Sequence, residues 1–257
     1  MLFDRPELDD NSVVKIFATS DIMTLPTNIS KIQVYCLGGG SGGGGGGAGS
    51  FNSVRLVGNG GGGGACGGYR YKAVDTLRGE SLLITVGHGG KGGRGAKIPE
   101  SKGDDGESGH GSKVVGTRSG SLVENKNNPE GGKGGGSGRF SSVREAKGEN
   151  GSVYFSEERR KIRYGGRAGE VLFQAGSGGG GGTFPIRVDL PDIDYSGLPG
   201  NGGNGGAEHS PGGLGTDATL FGSGGGGGGG GSASTYKEGY WGGDGSVGAL
   251  GFVVVIY

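Results

Sequence analysis

Runs of consecutive glycine interrupt this chain between apolar, strand-like segments: Gly42 to Gly47, Gly60 to Gly64, Gly178 to Gly182 and Gly224 to Gly231. A glycine run has the most backbone freedom to lose on ordering and no side chain to bury in return. In a polar tail such a run stays a flexible coil, whereas tethering at both ends to hydrophobic strands holds it against its neighbours. That framing, more than the total of 72 glycines in 257 residues, limits what the chain can fold into.

Collagen is excluded, because the runs show no strict period of three and eight prolines are too few. A wholly disordered chain is disfavoured as well, since apolar strand candidates occur at both termini and in the middle. Lysine plus arginine equals aspartate plus glutamate at 25 each, which gives no electrostatic case for nucleic acid or an anionic membrane as partner. The longest purely apolar stretch, Phe252 to Ile256, is far below the ~18 residues of a membrane span, so no membrane insertion is expected. Acidic residues in the opening Met1 to Asp10 stand where a signal peptide would be basic and then apolar, which predicts synthesis in the cytoplasm. Cys36 and Cys66 make no disulfide framework. Cys36 shares a strand face with Ile32 and Val34 and reads as a small core filler, with pairing to Cys66 left open.

Residues 13–18 read as a strand, and Ser30 to Leu37 alternates so that Ile32, Val34 and Cys36 share a face. Tyr69 to Val74 and Ser81 to Val86 are expected to pair across a turn at Arg78-Gly79, with Leu82, Ile84 and Val86 facing one way. Val171 to Ala175 is a further candidate. Gly251 to Tyr257 is the strongest strand signal, and it should close a sheet with the N-terminal strands, because a free apolar β-segment templates aggregation. Between these lie polar excursions near 97–130, 139–170, 183–199 and 232–241, without a convincing helical pattern.

For the runs themselves, ordering costs roughly 1–2 kcal/mol per residue and each hydrogen bond returns ~0.5–1.5 kcal/mol, so a lone run gains nothing. Several runs packed side by side as polyproline-II-type helices satisfy one another, because every N–H and C=O points outward and no Cβ intervenes. The expected fold is therefore all-β: a small antiparallel β-sandwich with an inserted polyglycine-II helix bundle. It forms one domain over 1–257, with 1–12 as an N-terminal extension.

Motifs for chemistry are weak. Gly-x-Gly-x-x-Gly recurs by chance at this glycine content, and the Gly-Lys pairs at 90–91 and 132–133 lack the Ser or Thr of a phosphate loop. Asp192-Ile-Asp194 imitates a calcium loop, but Gly203 stands where a bidentate glutamate is needed. His88, His110 and His209 have no ordered acid or nucleophile partner. No enzyme, cofactor or metal is expected. Aromatic residues in the excursions suit contact surfaces, since they offer large amphipathic area at low entropy cost. Tyr236, Tyr240 and Trp241 are the foremost group, with Tyr154, Phe155, Tyr164 and Tyr195 beside them.

The order of segments resembles a known family. Thr24-Leu-Pro-Thr-Asn-Ile-Ser-Lys-Ile-Gln-Val-Tyr-Cys-Leu-Gly-Gly-Gly40 is similar to the opening of glycine-rich domains of bacteriophage tail proteins. Gly64-Ala-Cys-Gly-Gly-Tyr69, Ile84-Thr-Val-Gly-His-Gly-Gly-Lys-Gly-Gly93 and Ala175-Gly-Ser-Gly-Gly-Gly-Gly-Gly182 look like its middle elements, and residues 245–257 like its closing strand. Distal tail-fibre adhesins of T-even-like phages carry polyglycine-II bundles whose tip loops bind bacterial receptors. The resemblance implies a virion protein of the tail or fibre, made in the host cytoplasm. Its partners would be a bacterial outer-membrane protein or surface glycan, and other tail or virion proteins. The alternatives are a structural virion decoration or connector, and a cell-surface glycine-rich adhesion protein.

Overall fold

The C-terminal apolar run organises the first sheet. The computed structural model describes residues 11–51, 55–97, 101–125, 137–139, 152–153, 162–163, 178–182, 198–204, 206, 210–232 and 240–257. Strands β1 (Val14–Phe17), β2 (Asp21–Thr24), β3 (Lys31–Leu37), β4 (Ser50–Phe51), β5 (Arg55–Gly58), β6 (Tyr69–Asp75) and β7 (Ser81–Thr85) come first. They are followed by β8 (Lys113–Gly116), β9 (Gly120–Glu124), β10 (Ser137–Arg139), β11 (Ser152–Val153), β12 (Ile162–Arg163) and β13 (Phe252–Ile256). No helix occurs among the described residues. The candidate strand at Val171 to Ala175 lies outside them.

Two four-stranded antiparallel sheets, ordered β1-β13-β3-β6 and β2-β7-β8-β9, dominate the strand structure. As expected, β13 joins the N-terminal strands: Val254 stands opposite Ile16 on one side and Tyr35 on the other. All five β13 residues are buried, which is why the run is continuously apolar instead of alternating. Val253 and Val255 face a core shared with the second sheet, where Ile32, Val34 and Cys36 meet Leu82, Ile84, Val114 and Val123. Phe252, Val254 and Ile256 face a second cluster with Tyr35, Tyr69 and Phe221. Cys36 is the expected filler, its thiol pushed up to about 12 by burial, and both cysteines are buried and form no disulfide.

One expected pairing is corrected. The turn at Arg78-Gly79 exists, and Gly79 supplies its positive φ of 63°. Yet β6 pairs β3 whereas β7 pairs β2 and β8, so the turn carries the chain from one sheet to the other. Val74 and Leu82 then reach the same core from opposite layers. Sheet β2-β7-β8-β9 also contains strands that the sequence concealed in a polar excursion, since β8 and β9 are short and polar at their ends.

The crossing is fastened by Glu80, a fully buried carboxylate. Its Oε1 accepts hydrogen bonds from the backbone N–H of Arg118 and of Ser119, both at 2.6 Å. Its Oε2 accepts from Ser119 Oγ at 2.7 Å and Leu77 N–H at 3.2 Å. Burial alone would raise this carboxyl, but the donors outweigh it and hold it near 2 against an ordinary 4.5.

Five glycine-rich tracts continue directly from strand ends: 38–49 from β3, 58–68 into β6, 87–96 from β7, 101–112 into β8 and 240–251 into β13. Residues 178–182, 198–204, 206, 210–220 and 222–232 join them in one hydrogen-bonded array. Tract 38–49 shows the rule. The N–H groups of Gly42, Gly43 and Gly44 donate in turn to Glu107, Ser246 and Gly62, on three different tracts. Gly45, Gly46 and Gly47 repeat the rotation to Asp104, Gly243 and Asn59. Tract 222–232 behaves alike: Gly227, Gly228 and Gly229 donate to Gly179, Gly44 and Gly213.

Where a Cβ would stand, a neighbour's carbonyl oxygen already sits: 2.2 Å from that point at Gly43 and 1.9 Å at Gly228. The glycine hydrogen occupying that position makes a Cα–H···O contact, worth ~0.5–1 kcal/mol. Peripheral tracts need glycine only where they face inward. Gly103 and Gly109 are buried, while Asp104, Asp105, Glu107 and Ser108 are exposed. A local period of three thus exists where the sequence showed none over the whole chain, and parts of the polar excursions belong to the array.

Two expectations follow from this packing. Gly43→Ala and Gly228→Ala each lower stability by at least the ~1–3 kcal/mol of an overpacked core, whereas the exposed Lys91→Ala stays within ~0.5 kcal/mol in thermal unfolding. Because the folded-state pKa of Glu80 is depressed, its stabilisation is complete above pH 4.5 and is lost as pH falls towards 2. A steeper loss of melting temperature across that window in the native protein than in Glu80→Gln is the readout.

Candidate binding surface of the glycine array

Because tracts leave the sheets at strand ends, the array has a sheet end and a distal end. At the distal end lie residues 49–51 and 55–58, Lys97 and Ser101, Gly206 and Ser210, and Ser232 and Tyr240. Backbone bonds hold them together: Gly49 N–H to Tyr240 O at 3.0 Å, Ala48 N–H to Ser101 O at 3.2 Å and Ser232 N–H to Ser210 O at 3.2 Å. Ser232 Oγ also accepts from Ser210 N–H at 3.0 Å. A three-stranded sheet of order β10-β5-β4 sits here, with Arg139 of β10 opposite Leu56 of β5.

Of the aromatic residues singled out from the sequence, the structure describes Tyr240 and Trp241. Both carbonyls serve the array, that of Tyr240 accepting from Gly49 and that of Trp241 from Gly212. Tyr240 is half-buried, whereas the Trp241 indole is 58% exposed. The two are therefore the first residues of a tract and not part of a free loop. Tyr236, Tyr154, Phe155, Tyr164 and Tyr195 lie outside the described residues, as do His209 and the calcium-like Asp192 and Asp194. His88 and His110 are exposed.

Sequence reasoning missed the rows of side chains along the outer tracts. Every third residue faces solvent: Trp241, Asp244, Val247 and Leu250 on one tract, and His88, Lys91 and Arg94 on another. Leu198, Asn201 and Asn204 repeat the pattern. The signal that could have found them is the Gly-Gly-x spacing of Gly89-Gly-Lys-Gly-Gly-Arg-Gly95. Some of these side chains clip adjacent tracts. Asp244 Oδ1 accepts from Gly95 N–H at 2.7 Å, and Asp217 Oδ1 from Val247 N–H at 2.9 Å.

The inner array presents backbone groups already bonded to one another, and among the described residues no three His, Cys, Asp or Glu side chains gather to hold a metal ion. Exposed side chains stand on the outward rows.

A comparison with curated proteins finds no match. A family model described as a glycine-rich domain matches residues 17–257, from the end of β1 through β13. The chain belongs to that glycine-rich domain family.

Proposed function

We propose that this chain is a non-enzymatic receptor-binding adhesin of a bacteriophage tail or tail fibre. In this reading its tracts are polyglycine-II helices that form a stiff frame. The frame carries the distal links to a bacterial outer-membrane protein or surface glycan. Support for the helix geometry comes from the rotation of N–H donors among three neighbours with a period of three residues. A polyproline-II-type helix has three residues per turn and no internal hydrogen bonds.

The observation that carries the binding role is the segregation of side chains. An interior of bonded glycine backbone has nothing with which to tell partners apart, and loops on a rigid frame commonly hold function. Trp241, exposed where the distal links meet their tract, is the foremost contact residue. Interface energy concentrates in a few Trp, Tyr and Arg residues. The virion assignment itself draws on the order of segments shared with phage tail proteins. A purely structural connector would use the same stiffness without adhesion.

Purified protein is expected to bind host cells and block adsorption of the virion that carries it. Trp241→Ala should weaken that binding by ~2 kcal/mol, about thirtyfold, with the melting temperature unchanged. Absence of cell binding by the native protein overturns the adhesin and leaves the connector.

A further inference from the structure

Tracts 87–96 and 240–251 lie side by side and antiparallel, joined by N–H donation from Gly242 to Ala96, Gly245 to Gly93 and Gly248 to Gly90. That register sets two outward rows level with each other: Trp241 beside Lys97, Asp244 beside Arg94 and Val247 beside Lys91. Lys91, Arg94 and Lys97 are exposed, and none of them joins an ion pair among the described residues. Trp241 is 58% exposed and Val247 42%. The carboxylate between those two, Asp244, accepts from Gly95 N–H and remains an anion level with Arg94, so Lys91 and Lys97 are the cations with no carboxylate level with them on this tract. On the far side of the cations a third row begins, where Asp104 N–H donates to Arg94 O and Glu107 N–H to Lys91 O.

We propose that the groove between the cationic row and the Trp241 row binds a linear acidic polysaccharide lying along the tract axis. This specifies the glycan partner of the adhesin and rests on that reading for its biological setting. Three chemical features of the groove select the occupant. First, cations recur every three residues, about 9 Å apart at ~3.1 Å rise per residue, close to the length of two sugar units. A polymer with one carboxylate on every second sugar therefore meets a cation at each repeat. Second, the parallel row offers an indole and an aliphatic side chain, which suit the C–H faces of pyranose rings; the indole face also attracts polarised C–H groups. Third, the acidic row of Asp104 and Glu107 repels a polyanion that strays outward, confining it to the groove. A folded acidic protein would not repeat its charges at this interval along one line, and a neutral glycan would leave the cations unused.

The test uses purified full-length protein and purified polymers in affinity electrophoresis. Hyaluronan supplies one carboxylate per two sugars, polygalacturonate one per sugar, and dextran none. Retardation by hyaluronan exceeding that by polygalacturonate, absent with dextran and fading at high salt, is expected. The Lys91→Ala, Arg94→Ala, Lys97→Ala triple variant should lose on the order of tenfold in affinity, the sum of three exposed charge contacts. Its unchanged melting temperature would show that folding is intact, and the single Lys91→Glu variant gives a second readout should the triple variant unfold. No retardation by hyaluronan, equal retardation by dextran, or retardation insensitive to the row variants overturns the proposal. Because purified polymer replaces the cell, a failure here is distinct from a failure to bind host cells.

Discussion

The array depends on the contact between a Cα hydrogen and the carbonyl oxygen of another tract. At Gly43, Gly46, Gly228 and Gly229 a carbonyl oxygen lies within 2.2 Å of the point a Cβ would take. Any side chain there would part the backbones and break the N–H···O=C bonds on each side. Glycine is thus required for what it omits, and its local density follows the number of neighbours a tract has. Tract 222–232 exchanges backbone bonds with all sides and is unbroken glycine from 224 to 231, whereas tract 101–112 sits at the margin and is two-thirds polar.

The sheets give this array a boundary condition. A glycine segment alone has no preferred partner or register, since all its residues are alike. Continuity with strands fixes both: register along β3 and β13 places Leu37 opposite Phe252, and the tracts leaving these two strands stay aligned, Gly40 N–H donating to Ala249 O. Glu80 does the same between layers, tying the crossing after β6 to the β8–β9 turn through three hydrogen bonds. Apolar burial in the two clusters fixes which strand faces meet, a choice that glycine alone cannot make.

Where a residue's role was expressed in hydrophobicity, the sequence was readable. Phe252 to Ile256, the Ile32, Val34 and Cys36 face and the Leu82, Ile84 and Val86 face all lie as their pattern predicted. Pairing was less readable, because a turn between two strands looks the same whether they share a sheet or face each other across a core. Strands β8 and β9 escaped because Lys113-Val-Val-Gly116 is too short to show a period beside polar residues. Tract membership was hidden wherever glycine thinned to one residue in three, so residues 101–112 passed for a polar excursion. Of the aromatic group at the candidate site, the exposed indole of Trp241 was legible by composition. That its backbone begins a tract, and that a cationic row runs level with it, depended on inter-tract register that only three dimensions supply.

The placement of β13 has a bearing on how the molecule comes into being. This strand lies between β1 and β3, and the tract leading into it touches tracts 38–49, 87–96, 210–220 and 222–232. It is also translated after every other described strand. While the ribosome is still extending the chain, β1 and β3 therefore lack the member that lies between them, and the surrounding tracts lack a shared neighbour. Such a topology cannot be built up section by section from its N-terminal side. The apolar strands β1 and β3 stay exposed until β13 emerges, and that interval carries a risk of aggregation.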